Sequence, residues 1–456
     1  MKKIIYISQI KETKGESNMK KFVSILVAMM MVMSLAACGQ QAAAPAAAPA
    51  ETQAAAPAAT QAAAPAATQA ATQAAAAAEA APADAGEFKI ATYLQLSGNN
   101  AEAGNNAKNG IELGIKYIND NGGFKGAKVV AEHYDTTGSP EEAVKIVQRV
   151  ISEGNVDAFI GSVNSNEVSA CISYINDAKI YNFGLGTSAT WMEDQSMIYT
   201  FRASCNNNRI APQDASMIKK MGLQKVAICS GTDDTGRSTA DAFEAACKEQ
   251  GLEVTTRQEC DSTDTDFTGQ ITQLIATDPD IIFESLIGDT FGSFTKQLRN
   301  MGYTGLLGCK ECFSVSYAEV AGWENANYIA FVYPYVPYTD ISECEIPIMK
   351  TFLQYHMDNQ GGLPTHESCY RGWDTMMAMW ECSKQAAALD DDSMREAMIK
   401  VKLDGLGGPL DYTKGDREGY SEFYEFILVD KKNIVLDDWL ANGGYEAYKA
   451  ATGNAK

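Results

Sequence analysis

From residue 88 onward, short β-branched and aromatic runs alternate with longer segments whose apolar residues fall at helical spacing. Residues 88–94 read as a strand. Residues 105–120 then place Ile111, Ile115 and Ile118 on one helical face before the Asn121-Gly122-Gly123 stop. Residues 129–134 return as a strand. Ser139-Pro140-Glu141-Glu142 supplies an N-cap, a first-turn proline and an acid at the capping-box position, opening a helix with Val144, Val147, Val150 and Ile151 on its buried side. Further strands are expected at 156–160, 180–183, 225–229, 252–256, 280–283 and 306–307, with helical stretches between them. This alternation is satisfied by parallel sheets covered with helices on both faces, an α/β fold class. At about 370 residues, the patterned region exceeds one hydrophobic core and predicts two lobes.

The chain ahead of this pattern has another character. An apolar run over 22–37 follows Lys20-Lys21 and ends at Leu35-Ala36-Ala37-Cys38, shorter than the about 20 residues that span a bilayer, so it reads as a secretory signal. Met19 opens that signal more cleanly than Met1 and is an alternative start. Residues 39–86 are almost wholly Ala, Pro, Gln and Thr, with no large side chain to bury, and read as a disordered tether. Removing residues 1–38, which hold six Lys and two Glu, takes the formal net charge of −21 to about −25. So acidic a surface repels polyanions and excludes nucleic-acid binding as the natural function.

Of the eleven cysteines, ten lie beyond Cys38 at irregular spacings. Export permits disulfides, but a domain of this size folds without them, and the sequence leaves their redox state open. His133, His356 and His366 are not spaced as metal ligands, so no metal or other cofactor is implied. Histidine scarcity and the lack of a nucleophile elbow or a Ser/His/Asp arrangement speak against an enzyme. Cys309-Lys310-Glu311-Cys312 lacks the further ligands of a metal site and the helix-start thiolate of a redox site.

In open α/β sheets, ligands lie beyond the carboxyl ends of strands. Three loops at such ends carry small polar residues: Gly161-Ser162-Val163-Asn164-Ser165-Asn166, Gly184-Leu185-Gly186-Thr187-Ser188 and Gly308-Cys309-Lys310-Glu311. Each alone is what turn formers and N-caps produce. Together they suit a carboxylate, because first-turn N–H groups lack partners and the helix dipole favours an anion. Neither Gly-rich loop continues into a nucleotide cradle.

Leu96-Ser97-Gly98, residues 111–126 and 139–161, Phe201-Arg202, Asp264-Thr265-Asp266-Phe267 and Asp278-Pro279-Asp280-Ile281 together resemble the leucine/isoleucine/valine-binding group of type I periplasmic binding proteins, over nearly all of residues 88–440. The resemblance implies two doubly wound Rossmann-like lobes joined by three crossovers near 204–208, 330–334 and 409–412. Lobe one is then 87–206 plus 333–409, and lobe two 207–332 plus 410–454. It implies a ligand held between the lobes, with Ser165 and Thr187 on its carboxylate, supported by Val163, Asn164, Leu185 and Gly186. Glu311 of the second lobe is the nearest match for the acid on the ammonium, displaced by one position from where Lys310 stands. Ala103 and Thr235 occupy positions where relatives often place aromatics, implying a roomier or more polar pocket; Trp191, Tyr370 and Trp373 are candidate walls. The Tyr333–Tyr338 stretch reads as a stiff connection packed by rings, with Tyr335 a further candidate for the cleft. The resemblance also implies a monomer, acylated at Cys38 and anchored outside the cytoplasm by lipid alone, that delivers a small amino acid or related polar solute to the permease and ATPase of an ABC importer. A sensing role before a signalling receptor, or an amide-, urea-like or aromatic acid ligand, are the alternatives.

Overall fold

The computed structural model describes residues 86–310, 315–335 and 338–454; the leader, the tether up to residue 85, Cys38, Glu311 and Cys312 lie outside the described residues. The described chain builds two α/β lobes. The first sheet comes from β1 (Glu87–Leu94), α1 (Ala101–Asp120), β2 (Lys128–Asp135), α2 (Pro140–Glu153), β3 (Ala158–Ile160), α3 (Ser165–Asp177), β4 (Tyr181–Gly184), α4 (Thr190–Glu193) and β5 (Thr200–Arg202). Its strands are all parallel, in the order β2-β1-β3-β4-β5. The chain continues through α5 (Asn207–Lys220), β6 (Lys225–Gly231), α6 (Asp234–Gln250), β7 (Glu253–Cys260), α7 (Thr268–Ala276), β8 (Ile281–Ser285), α8 (Gly288–Asn300), β9 (Leu306–Cys309), α9 (Val315–Ala321) and β10 (Ile329–Tyr333). Three helices, α10 (Pro347–Gln360), α11 (Ser368–Gln385) and α12 (Asp391–Met398), and a hairpin of β11 (Lys402–Gly405) and β12 (Gly408–Asp411) follow. Last come β13 (Tyr424–Val429), β14 (Lys432–Val435), α13 (Leu436–Ala441) and α14 (Gly444–Thr452). The second sheet runs β14-β13-β10-β9-β8-β6-β7.

That second sheet is not wholly parallel as the alternation suggested, because β13 returns antiparallel to β10 and β14 antiparallel to β13. Both lie late in the chain, where the strand–helix rhythm has ended. Residues 330–334, expected as a crossover, include most of β10, and 409–412 fall in and just after β12. The first helix begins at Ala101, four residues before its expected start. The third strand is shorter than expected, starting at Ala158 instead of Val156.

The start of α2 follows half of its sequence signal. Ser139 accepts from Glu142 N (3.3 Å) and Pro140 takes the first turn. The reciprocal half of the capping box does not form: Ser139 N donates to Thr136 O, and the Glu142 carboxylate pairs with Lys145 instead. Ala143, Ile146, Val147 and Val150 are the buried residues of α2, with Val144 and Ile151 only partly covered. The buried stripe is thus rotated from the one expected.

Although it lies late in the chain, α11 packs across α1 of the first lobe, and three glycines make this possible, among them Gly114, where a Cβ would come within 2.6 Å of Met376 Cβ. A Cβ on Gly110 would come within 2.0 Å of Cys369 O, and one on Gly372 within 2.4 Å of Ala107 O. The nine described cysteines are free and buried, with Cys229 Sγ 3.5 Å from Cys260 Sγ. Tyr335 is buried against Tyr333, Tyr370 and Tyr420, with its hydroxyl donating to Ala203 O (3.4 Å), so it belongs to the core and not to the cleft. No helix among the described residues is long and apolar enough to cross a membrane.

A candidate ligand cleft between the lobes

Each sheet has one place where successive connections leave in opposite directions, opening a crevice at the strands' carboxyl ends. In the first sheet this is between β1 and β3; in the second it is between β6 and β8. The loops after these four strands meet around a partly open cleft whose atom-free space, open solvent included, is about 250 Å³. Asn100 and Ala103 reach it from the first turn of α1, Val163 and Asn164 from the start of α3, Thr235 from α6, and Ile287 from the N-cap of α8. His366 and Arg371, from the start of α11, complete the lining. Five helices therefore direct their N-terminal ends toward one space, which favours an anionic group there.

The Leu185-Gly186-Thr187-Ser188 turn is held through four consecutive carbonyls. Arg371 Nη1 donates to Leu185 O (2.9 Å), Ser204 Oγ to Gly186 O (3.0 Å), and Asn207 N to Thr187 O (3.0 Å). Arg202 donates to both Thr187 O and Ser188 O while its guanidinium lies 3.9 Å from the Trp191 ring centroid. Burial pulls the Arg202 guanidinium down to about 10. Phe201-Arg202 thus acts from beneath, positioning the turn. Trp191 is core on that side.

Gly186 is required by closeness: a Cβ there would lie 2.6 Å from Ser165 Oγ. Ser165 and Thr187 are brought to the same place, but their hydroxyls differ. Ser165 Oγ already accepts from Ser188 N (3.0 Å), whereas Thr187 Oγ1 is buried without a hydrogen-bond partner among the described residues. Neither is among the residues lining the cavity, and nor are Leu185, Gly186 and Tyr370. Tyr370 is buried between Tyr335 (5.4 Å) and Phe352 (5.7 Å), and Trp373 packs on Phe352 and Tyr117. These rings wall the core behind the cleft.

The expectation of a roomier or more polar pocket resolves toward polar. Beside Ala103 and Thr235 stand Asn100, Asn164, His366 and Arg371. Arg371 and Glu367 are 1 % exposed and form a two-point ion pair, Nε to Oε2 at 2.8 Å and Nη2 to Oε1, with Nη2 also donating to the Tyr333 hydroxyl. From the second lobe, the Asp233 carboxyl caps α6 by accepting from Gly236 N (3.0 Å). Burial raises its pKa, and the Gly236 N–H and the Lys310 ammonium partly oppose that rise. Asp234, beside it, accepts from Ser169 Oγ (3.1 Å) and Thr190 Oγ1 (2.9 Å), side chains of first-sheet elements, and so bridges the cleft. Among the described residues no group of three or more His, Cys, Asp and Glu is placed to hold a metal ion.

Four lining residues escaped sequence reasoning. Asn100 follows β1 and was reachable by the strand-end argument that found Ser165. Ile287 follows β8 in the same way. His366 and Arg371 follow no strand, and only the packing of α11 on α1 brings them in.

Residues 87–432 match the model of the periplasmic binding protein family. The Leu/Ile/Val/Thr-binding protein of Salmonella typhimurium is 25% identical over 365 residues, covering 79% of this chain and 93% of that protein. A leucine-binding protein from Thermotoga maritima superposes with a TM-score of 0.69 at 20% identity, over 77% of this chain and 99% of that one. A solute-binding protein of an ABC transporter from R. palustris, solved with benzoate, superposes with a TM-score of 0.69 at 19% identity, over 77% and 95%.

Proposed function

The chain belongs to the periplasmic binding protein family, and on that premise we propose that it is a lipid-anchored, extracytoplasmic receptor that captures a small amino acid or related polar solute and hands it to an ABC importer. The relatives are solute-binding proteins, not enzymes, and no covalent step is assigned to this one. Cys38 is the anchor and residues 39–86 the tether. The lobes are 87–206 with 333–409, and 207–332 with 410–454; the division near 206 is supported by β1–β5 forming one sheet and β6–β10 with β13 and β14 another, and the placing of 333–409 by the packing of α11 on α1.

The ligand carboxylate sits at the start of α3, received by Ser165 and Thr187. The observation that carries this reading is the Thr187 hydroxyl, buried and without a partner among the described residues beside a rigidly held turn. A buried polar group left unpaired is costly, and a ligand oxygen removes that cost. Val163, Asn164 and Thr235 line the chamber, and a second-lobe acid, Glu311 or Asp233, takes the ammonium. Binding energy realised only when both lobes touch the ligand favours the closed arrangement.

Thr187→Val keeps the shape and deletes the hydroxyl. It is expected to weaken amino-acid binding by about 1.5–3 kcal/mol, the range for a hydrogen bond to a charged group, with the ligand-free melting temperature not lowered, since the deleted hydroxyl has no partner among the described residues. Isothermal titration checks both variant and parent. An unaltered dissociation constant in Thr187→Val and in Ser165→Ala would remove both residues from the site.

A further inference from the structure

The first-lobe wall of the cleft carries an amide whose orientation is fixed from behind. Glu167 is fully buried on α3, and its carboxyl oxygens accept from Thr136 Oγ1 (3.0 Å) and Asn164 Nδ2 (3.2 Å). Asn164 Nδ2 also donates to Gln95 Oε1 (2.6 Å). With its amide nitrogen committed to these acceptors, Asn164 turns Oδ1 the other way, where it accepts from Asn100 Nδ2 at 2.8 Å. Asn100 is thereby held with its nitrogen toward Asn164, which leaves its Oδ1 as the outward atom of a residue lining the cavity. Asn100 occupies the N-cap of α1, where such a side chain normally accepts from its own helix, yet it makes no cap hydrogen bond. Its backbone carbonyl accepts from Gly104 N (3.3 Å), but among the described residues no hydrogen bond is made to its side-chain Oδ1.

We propose that Asn100 is a specificity-determining residue whose Oδ1 accepts an N–H or O–H from the ligand's side chain, so that the preferred ligands are small amino acids with uncharged hydrogen-bonding side chains. This rests on the amino-acid reading above, which assigns the carboxylate and ammonium to other groups. The rest of the chamber agrees. Among the described residues, Asn164, Thr235, His366 and Arg371 share the lining with Ala103, Val163 and Ile287. The positive charge of Arg371 is already engaged by Glu367 in a buried pair. An aliphatic side chain pressed on Asn100 would strip water from Oδ1 and return no hydrogen bond.

The test is a titration series on the purified protein with L-asparagine, L-glutamine, L-serine, L-threonine, L-leucine and L-valine, repeated on Asn100→Ala and Asn100→Leu. The expected result is that at least one of the four polar amino acids binds about tenfold or more tightly than leucine, and that Asn100→Leu narrows or reverses that gap. Ligand-free melting curves keep a folding defect apart from a binding defect, and Asn100→Ala serves if the leucine variant melts early. Tighter binding of leucine or valine than of every polar amino acid overturns the inference and leaves the amino-acid reading standing. So does an Asn100→Ala variant that keeps the parent's ranking and affinities. Binding of none of the six, with a shift for benzoate or a small amide, overturns both.

Discussion

At the level of single residues, the cleft is supported by buried charges whose states are set by partners and by burial. Glu367 and Arg371 satisfy each other at the start of α11. Removing one member leaves the other charged and buried, so Glu367→Ala is expected to lower stability by about 3–5 kcal/mol, read as a fall in the denaturant midpoint; a change near zero would mean that Arg371 finds another counter-charge. Glu284 is a buried carboxyl in the second lobe with one bond, from Thr295 Oγ1 (3.0 Å), and burial pushes its pKa from 4.5 up to about 8. Asp374, at about 7, is raised for the same cause. Between pH 4.5 and 8 the unfolded chain ionises Glu284 while the folded chain keeps its proton, so raising pH favours unfolding. The melting temperature should fall from pH 5 to pH 8, and fall less in Glu284→Gln. An equal fall in both would assign the pH dependence to other groups. The sequence showed the hydroxyls of Ser165 and Thr187 because they follow strands. It could not show that Ser165 is already engaged by Ser188, since that depends on how closely two separate loops approach at Gly186.

At the level of elements, the strand–helix alternation was legible through β9 except at β5, a three-residue strand too short to show a pattern, because most of the other parallel strands are short apolar runs and the helices carry stripes. Beyond β9 the pattern gives way to helices α10 to α12 and to the antiparallel pair β13 and β14, whose neighbours in the sheet are far away in sequence. The half-formed capping box at α2 has a similar origin: a nearby lysine competes for Glu142, a choice outside the four-residue motif. The opening turn of α6 also does more than its sequence announced. Asp233 caps the helix while Asp234 reaches Ser169 and Thr190 across the cleft. Asp234→Ala is expected to weaken ligand binding by about 0.5–1.5 kcal/mol, because it removes a contact that favours the closed lobes. Unchanged affinity by titration would mean that this bridge does not bias closure.

At the level of the whole molecule, two sheets with separate switch points place their polar loops face to face, and the space between them is small and mostly polar. The nine described thiols are buried and outside any disulfide. Those thiols should resist a small alkylating reagent in the native protein and react once it is unfolded; labelling of several in the native state would contradict the packing described. The family likeness was readable from motifs spread along the chain, but the chamber's full lining was not, because His366 and Arg371 are brought in only by the packing of α11 on α1. The account's central claim is that this cleft closes on an amino acid whose carboxylate meets Thr187. Calorimetric titration of the parent and of Thr187→Val with the natural amino acids tests it most directly. The account predicts saturable one-to-one binding of at least one amino acid by the parent and a loss of about tenfold or more in the variant; equal affinity in the two proteins, or no amino acid bound by the parent, would contradict it.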